Sequence, residues 1–125
     1  MKSIIVSMVA AAGMMAAGSV LAADMPDIAK KNGCTACHAI DKKVVGPAWM
    51  DVSKKYKGVA KYKYSNNGSN APDAKEYSLV EGLEIKVSKG GHGNWGSAAM
   101  IPNDPSGKKQ PAIKELVTFI LGLSK

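Results

Sequence analysis

The sequence predicts an all-α chain of four or five short helices, and three observations carry that expectation. Ile113, Leu116, Val117, Ile120 and Leu121 recur at three- and four-residue spacing, the apolar stripe that a helix lays against a core. Helix punctuation repeats along the chain, with Asp or Pro before a segment and Gly after it. No internal repeat and no strand pattern stands out beside these signals.

In chain order, Asp24-Met25-Pro26-Asp27 reads as a helix start, with Asp24 as cap, Pro26 in the first turn and acids at the positive end of the dipole. The helix runs through Ile28, Ala29 and Lys30-Lys31, where cations suit a C-terminal end, and breaks at Asn32-Gly33. Gly46-Pro47 marks a tight turn. A short helix is then expected from Ala48 to Lys57, with Trp49, Val52 and Tyr56 on one face and Gly58 as its stop. Residues 61–73 are polar, rich in Asn and Gly, and read as a loop with no core of its own. Asp73 is expected to cap a helix from Ala74 to about Ser88, with Glu76 completing a capping box and Gly90-Gly91 ending it. Gly82 inside that helix marks a close contact or a kink. Residues 100–109 form another loop, punctuated by Pro102, Pro105 and Gly107. The last helix starts near Pro111 and is expected to cross the first.

The N-terminus reads as an export signal. Lys2 supplies a positive charge, Ile4 to Leu21 is uncharged and apolar or small, and Val20-Leu21-Ala22 is a small-residue cleavage site. An uncleaved membrane anchor is the alternative, since the stretch approaches spanning length. Cleavage predicts a signal peptide over 1–22 and one domain over 23–125. A domain that short has a modest core.

All 17 basic residues are lysine, against 10 Asp and Glu, a net charge of +7. Such a surface steers a protein toward acidic partners or anionic membranes, or simply keeps it soluble. Nucleic acid is not expected as a partner, because arginine is absent, the lysines are dispersed and the chain is exported.

The chemistry concentrates in Cys34-Thr35-Ala36-Cys37-His38. C-x-x-C-H is the attachment signature of c-type haem. Two thiols three positions apart can form thioethers with the two vinyl groups of one porphyrin, and the following imidazole can take an axial position on the iron. Plainer uses of the cysteines fit less well. A thioredoxin-like pair belongs in a βαβ pattern, which is missing here. A closed zinc site would need Cys34, Cys37, His38 and His92 together, with unusually tight spacing at Cys37-His38. A disulfide closing so short a loop would stabilise little. The expected cofactor is therefore one haem c, covalently held through Cys34 and Cys37, with all helices packed around it.

Candidates for the opposite face of the iron are Met50, His92 and Met100. A thioether favours ferrous iron and raises the potential, as an electron carrier requires. Met100 lies far along the chain from His38, in a loop able to wrap the distal face. Its plainer use is gap filling under that loop. Met50 follows His38 closely, within a predicted helix near the proximal side, and reads as a packing residue. His92 is flanked by Gly90-Gly91 and Gly93 and reads as a surface histidine.

Three blocks together resemble a family: Gly33-Cys34-Thr35-Ala36-Cys37-His38-Ala39-Ile40-Asp41, then Val45-Gly46-Pro47-Ala48, then Trp95-Gly96 with Met100 and Pro102-Asn103. In order and spacing they are similar to the class I cytochromes c, above all the short bacterial cytochromes c-551, also called c8. The resemblance implies the cytochrome c fold, with His38 and Met100 as axial ligands. It further implies that the Pro47 carbonyl accepts a hydrogen bond from the other nitrogen of His38, that Trp95 donates its indole N–H toward a haem propionate, and that Asn103 sits near the Met100 sulfur. Two departures stand out. Ala99 and Ile101 flank Met100 where the family usually has prolines, which predicts a less rigid distal loop, and the 61–73 segment exceeds the family minimum.

The function expected is that of a soluble, monomeric periplasmic electron carrier rather than an enzyme. Its partners would be redox proteins with acidic docking surfaces: a membrane oxidoreductase complex as donor, and a terminal oxidase, nitrite reductase or peroxidase as acceptor. The alternative is a ligand-binding or peroxidase-like haem protein with an open or dissociable sixth position. Cytochromes c′ work in that way but carry their motif near the C-terminus, whereas here it lies near the mature N-terminus.

Overall fold

The computed structural model describes residues 24–124, so the predicted signal peptide and its cleavage site lie outside the described residues. Four α-helices are seen there: α1 Asp27–Lys31, α2 Trp49–Lys55, α3 Leu79–Lys89 and α4 Gln110–Gly122. A 3-10 turn covers Cys34–Ala36, and two strands, β1 Lys61–Tyr64 and β2 Lys75–Ser78, stand between α2 and α3.

The helical expectation holds, with corrections at the ends. Helix α1 is little more than one turn. Extended Pro26 occupies its cap position without a side-chain cap, so Asp24 does not cap it. At its other end the Asn32 amide donates to the Ile28 carbonyl at 2.8 Å, meeting one of the acceptors that a helix terminus leaves unpaired. Helix α2 is shorter than expected at both ends, stopping at Lys55. Helix α4 begins one residue before Pro111, where the missing proline N–H costs nothing.

The main correction lies at 61–78. Lys61-Tyr62-Lys63-Tyr64 is a strand, paired antiparallel with Lys75–Ser78 in the register Lys61↔Ser78, Tyr62↔Tyr77, Lys63↔Glu76 and Tyr64↔Lys75. Its lysines face water while Tyr62 and Tyr64 are 4% and 8% exposed. The sequence does alternate with period two here, but for only two cycles. Helix α3 accordingly starts at Leu79 rather than Ala74. Asp73 accepts a 2.7 Å hydrogen bond from Ser65 Oγ instead of capping a helix, and Glu76 sits opposite Lys63 in the ladder.

Two apolar clusters meet on α4. Tyr56, Tyr62, Tyr64 and Leu83 pack against Ile113 and Val117 on one side. Ala29 and Trp49 pack against Leu116 and Ile120 on the other, so the first and last helices do meet. Each fully buried aliphatic side chain of this kind contributes about 1.5–3 kcal/mol. Ser53, 1% exposed, ties α2 to the end of α4, its Oγ donating to the Leu121 carbonyl at 3.1 Å and accepting from the Ser124 N–H at 3.0 Å.

Gly82 is explained by Tyr62. A Cβ at position 82 would lie 2.7 Å from Tyr62 Cβ and Cδ1, so the helix and the hairpin approach through the missing side chain. Gly82→Ala gains about 1 kcal/mol of helix propensity but incurs an overpacking cost of about 1–3 kcal/mol. The expected net result is a lower midpoint in guanidinium unfolding of the holoprotein.

Asp104 organises the start of α4. Its carboxylate accepts from the Lys108 N–H at 2.9 Å, the Lys109 N–H at 2.8 Å and Gln110 Nε2 at 2.7 Å. Burial alone would push this carboxyl up, but the donors from Gln110, Lys109, Lys108 and Gly107 outweigh it and hold it below the ordinary 3.8. A depressed folded value stabilises the fold above the unfolded value and ceases to do so as pH falls through the folded one. Acid titration of stability should therefore steepen below about pH 4, and Asp104→Asn should flatten that part of the curve.

Candidate functional site

A mostly apolar cleft opens between the two clusters, enclosing about 1230 Å³ counted out to its mouth. An open cleft with so apolar a lining and a few converging polar groups suits a flat, largely apolar ligand. Cys34, Cys37, His38 and Pro47 line one side, and Trp95, Met100 and Asn103 line it from the segment joining α3 to α4. These seven of the residues singled out in the sequence thus line one cavity. Met50 and His92 do not line it. Met50 is half-buried on α2, and exposed His92 donates its backbone N–H to the Asn66 carbonyl at 2.9 Å.

The proximal side is built locally. Gly33, at φ 74°, turns the chain out of α1 into the 3-10 turn. The His38 N–H donates to the Cys34 carbonyl at 2.9 Å, and the Gly46 N–H returns to the Cys37 carbonyl at 2.8 Å, which folds the 45–47 turn back over the motif. His38 Nδ1 lies 2.9 Å from the Pro47 carbonyl oxygen. A carbonyl can only accept, so Nδ1 carries a proton, and in the neutral ring Nε2 then holds the lone pair that a metal ligand needs. The fit is close: a Cβ on Gly46 would lie 2.5 Å from His38 Cε1. The Trp49 ring, tilted at 34°, stands 5.8 Å from the imidazole.

The thiols suit attachment better than exchange. Cys34 and Cys37 are half-buried and not joined to each other. Burial pushes the Cys34 thiol above its ordinary value, the reverse of the depressed value that disulfide-exchange cysteines use. Among the described residues no three His, Cys, Asp or Glu side chains converge, so the closed zinc arrangement has no ligand set there.

The distal side is built across the fold. Met100 and Gly91 form an isolated antiparallel bridge, with the Gly91 N–H donating to the Met100 carbonyl at 3.0 Å and the Met100 N–H to the Gly91 carbonyl at 2.9 Å. Gly90 permits the approach, since a Cβ there would collide with the Met100 carbonyl oxygen. The chain after Met100 caps the end of α3. The Asn103 and Asp104 N–H groups donate to the Val87 and Ser88 carbonyls, each at 3.1 Å, and Asn103 Nδ2 donates to the Ile101 carbonyl at 3.1 Å. Helix carbonyls that would otherwise lack partners thus set the path of the loop.

Three features of this wall escape a reading of the sequence. Gly90-Gly91 signals only a helix stop, yet it pairs with Met100. Lys55 places its ammonium 4.4 Å over the Trp95 ring and donates to the Asn94 carbonyl at 3.2 Å, a cation–π contact between distant stretches of chain that no local pattern announces. Lys86 reaches the cavity while only 9% exposed, and burial lowers its pKa. Its ammonium has no acidic partner among the described residues, so the cavity wall offers a cation to an anionic group. The only signal for it is its place on the inner face of α3, beside Leu83 and Val87.

Thiols at attachment spacing, an imidazole with its lone pair free and a cation on an apolar wall fit a haem with its carboxylates. No protein-family model matches the chain. Among curated proteins it is 41% identical over 98 residues to cytochrome c-551 of Allochromatium vinosum, covering 77% of this chain and 82% of that one. Against cytochrome c-552 of Hydrogenobacter thermophilus it is 35% identical over 122 residues, covering 98% and 97%. Among solved structures, wild-type Nitrosomonas europaea cytochrome c552 superposes with a TM-score of 0.54 at 34% identity, over 76% of this chain and 94% of that one. With such identities sustained across most of each relative and the same fold, the chain belongs to the cytochrome c-551/c-552 family, whose members hold a covalently bound haem c.

Proposed function

We propose that this protein is a periplasmic one-electron carrier whose haem, joined through Cys34 and Cys37, is ligated by His38 and Met100. The observation that carries the reading is the pairing of two unlike walls on one apolar cavity. One bears an imidazole whose Nδ1 is committed to the Pro47 carbonyl at 2.9 Å, and the other bears a methionine held by a two-way backbone bridge. When bound, haem c supplies a one-electron ferric/ferrous couple. The protein's part is to bind, orient and shield. Cys34 and Cys37 form the thioethers, the Pro47 carbonyl fixes the ring and tautomer of His38, and the apolar wall excludes water. Asn103, with its amide bonded to the Ile101 carbonyl, steadies the loop beside Met100, and Lys86 and Trp95 are the groups on the wall suited to the propionates.

The surface supports docking rather than catalysis. Val45 and Ile101, 51% and 70% exposed, border the cleft, with Val44 at 46% beside them. An apolar rim within a lysine-rich surface suits brief, electrostatically steered encounters with acidic redox partners. These would be a membrane oxidoreductase complex on one side and an oxidase, nitrite reductase or peroxidase on the other. Periplasmic location rests on the N-terminal export pattern and on the oxidising compartment in which haem is attached. Among the described residues no helix is long and apolar enough to cross a membrane.

The ferric holoprotein should show a far-red sulfur-to-iron charge-transfer band that Met100→Ala abolishes. The variant's reduction potential should fall by on the order of 0.1 V, a fraction of the ~0.8 V that axial ligation spans. A high-spin wild-type spectrum with ready carbon monoxide uptake would overturn Met100 ligation in favour of gas or peroxide chemistry. On the proximal side, Gly46→Ala should drive the His38 ring away from Pro47 and lower holoprotein stability by about 1–3 kcal/mol in guanidinium unfolding.

A further inference from the structure

We propose that the hairpin of β1 and β2, with its connecting loop 65–74, is a brace for the distal ligand, and that Tyr64 is a positioning residue for Met100. This rests on the reading of Met100 as the second axial ligand and explains how a loop without flanking prolines holds it.

The distal loop lacks the usual local restraints. Ala99 and Ile101 leave the backbone on both sides of Met100 free of the φ restriction that proline imposes. Ile101 is 70% exposed and packs little. Rigidity has to come from the residues that Met100 pairs with, and its bridge partner is Gly91.

The segment 90–94 is in turn fastened to the hairpin along its length. Tyr64 Oη donates to the Gly90 carbonyl at 3.0 Å from a side chain 8% exposed. The same hydroxyl lies against Asn66 Oδ1, so its single proton is shared between that amide oxygen and the Gly90 carbonyl. The His92 N–H donates to the Asn66 carbonyl at 2.9 Å. Asn94 Nδ2 donates to Ser69 Oγ, which donates at 3.0 Å to the Lys63 carbonyl in β1. Between these bonds the two backbones touch directly. A Cβ on Gly91 would lie 2.8 Å from Asn66 Cα, and one on Gly68 would lie 3.1 Å from Gly93 Cα.

The loop is stiff enough to serve. Ser65 Oγ donates to Asp73 at 2.7 Å and accepts from the Asn67 N–H at 3.0 Å, while the Gly68 and Ala71 N–H groups close turns on Ser65 and Gly68. Tyr62 and Tyr64 anchor its base in the core. A continuous path therefore runs from the buried face of β1, through 90–94, to the backbone of Met100.

The test uses the ferric holoprotein and imidazole as the probe. An external ligand enters the sixth position only when Met100 leaves it, so the limiting rate of imidazole uptake reports release of the methionine. Tyr64→Phe keeps the ring and removes the hydroxyl, and Gly68→Ala pushes the loop off Gly93 at a φ of 101°. Two controls accompany them: Lys61→Gln on the outer face of β1, and Ile28→Val, which loosens the other cluster, away from both the hairpin and the cavity lining. Loss of one hydrogen bond predicts uptake about three- to tenfold faster in Tyr64→Phe. Gly68→Ala should be at least as fast, and Lys61→Gln unchanged. The charge-transfer band should weaken in parallel with these rates. Uptake at the wild-type rate in both brace variants overturns the brace while leaving Met100 ligation standing. Acceleration in Ile28→Val equal to that in Tyr64→Phe, at matched guanidinium midpoints, also overturns it, because uptake would then follow global stability. A wild-type spectrum without the band overturns Met100 ligation and the brace with it.

Discussion

The cleft is the constraint on which the rest of the molecule depends. Helix α4 contributes Ile113 and Val117 to one cluster and Leu116 and Ile120 to the other, and three of these four also border the cavity. Those side chains draw part of their packing from the group that fills the cleft, and in so short a chain few other contacts could replace it. A covalently held macrocycle fills that space from the moment of attachment. A covalent link also removes dissociation as a route to loss, so stability and cofactor retention become one property. The all-α class follows from the same constraint, because short helices on a common centre need no continuous sheet.

The two walls of the cleft are made by different physics. On the proximal side every essential bond is local: His38 to Cys34, Gly46 to Cys37, and His38 to Pro47 in the turn that follows. That wall is a property of one continuous stretch of chain. The distal wall exists only where α3 ends, because the loop follows carbonyls that the helix leaves unpaired at Val87 and Ser88. Its order is borrowed from α3, from Asp104 and from the hairpin.

What the sequence makes legible divides along the same line. Cys34, Cys37 and His38 are readable because their motif is local, and Gly46-Pro47 reads as a turn for the same reason, while the part Pro47 plays beside His38 comes only from the family resemblance. The stripe of α4 is readable because five apolar residues keep one period. The hairpin escapes notice because Lys-Tyr-Lys-Tyr is short and sits beside Asn- and Gly-rich sequence, where composition outweighs two cycles of alternation. Asp73 and Glu76 mislead for a related reason: an acidic pair before an apolar run fits a capping box equally well when the intervening residues are a strand. Lys86 over the cavity, Lys55 over Trp95 and Gly91 against Met100 are tertiary facts, and nothing in their own neighbourhoods encodes them.

A carrier of single electrons benefits from changing as little as possible between its two oxidation states. Each atom that shifts when the charge on the iron changes adds to the barrier for transfer, so ligands held from outside the iron are worth more than ligands held by it alone. On the proposed ligation, His38 is held by a carbonyl that receives its proton, and Met100 by a backbone bridge whose far side is sewn to a hairpin. The first device is short and belongs to the motif. The second is long and peculiar to the residues between α2 and α3. A chain that has alanine and isoleucine where prolines would stiffen the ligand loop has placed the same restraint in tyrosine, asparagine and glycine well upstream. Local stiffness and tertiary bracing are thus interchangeable solutions to one requirement, and this molecule uses the second.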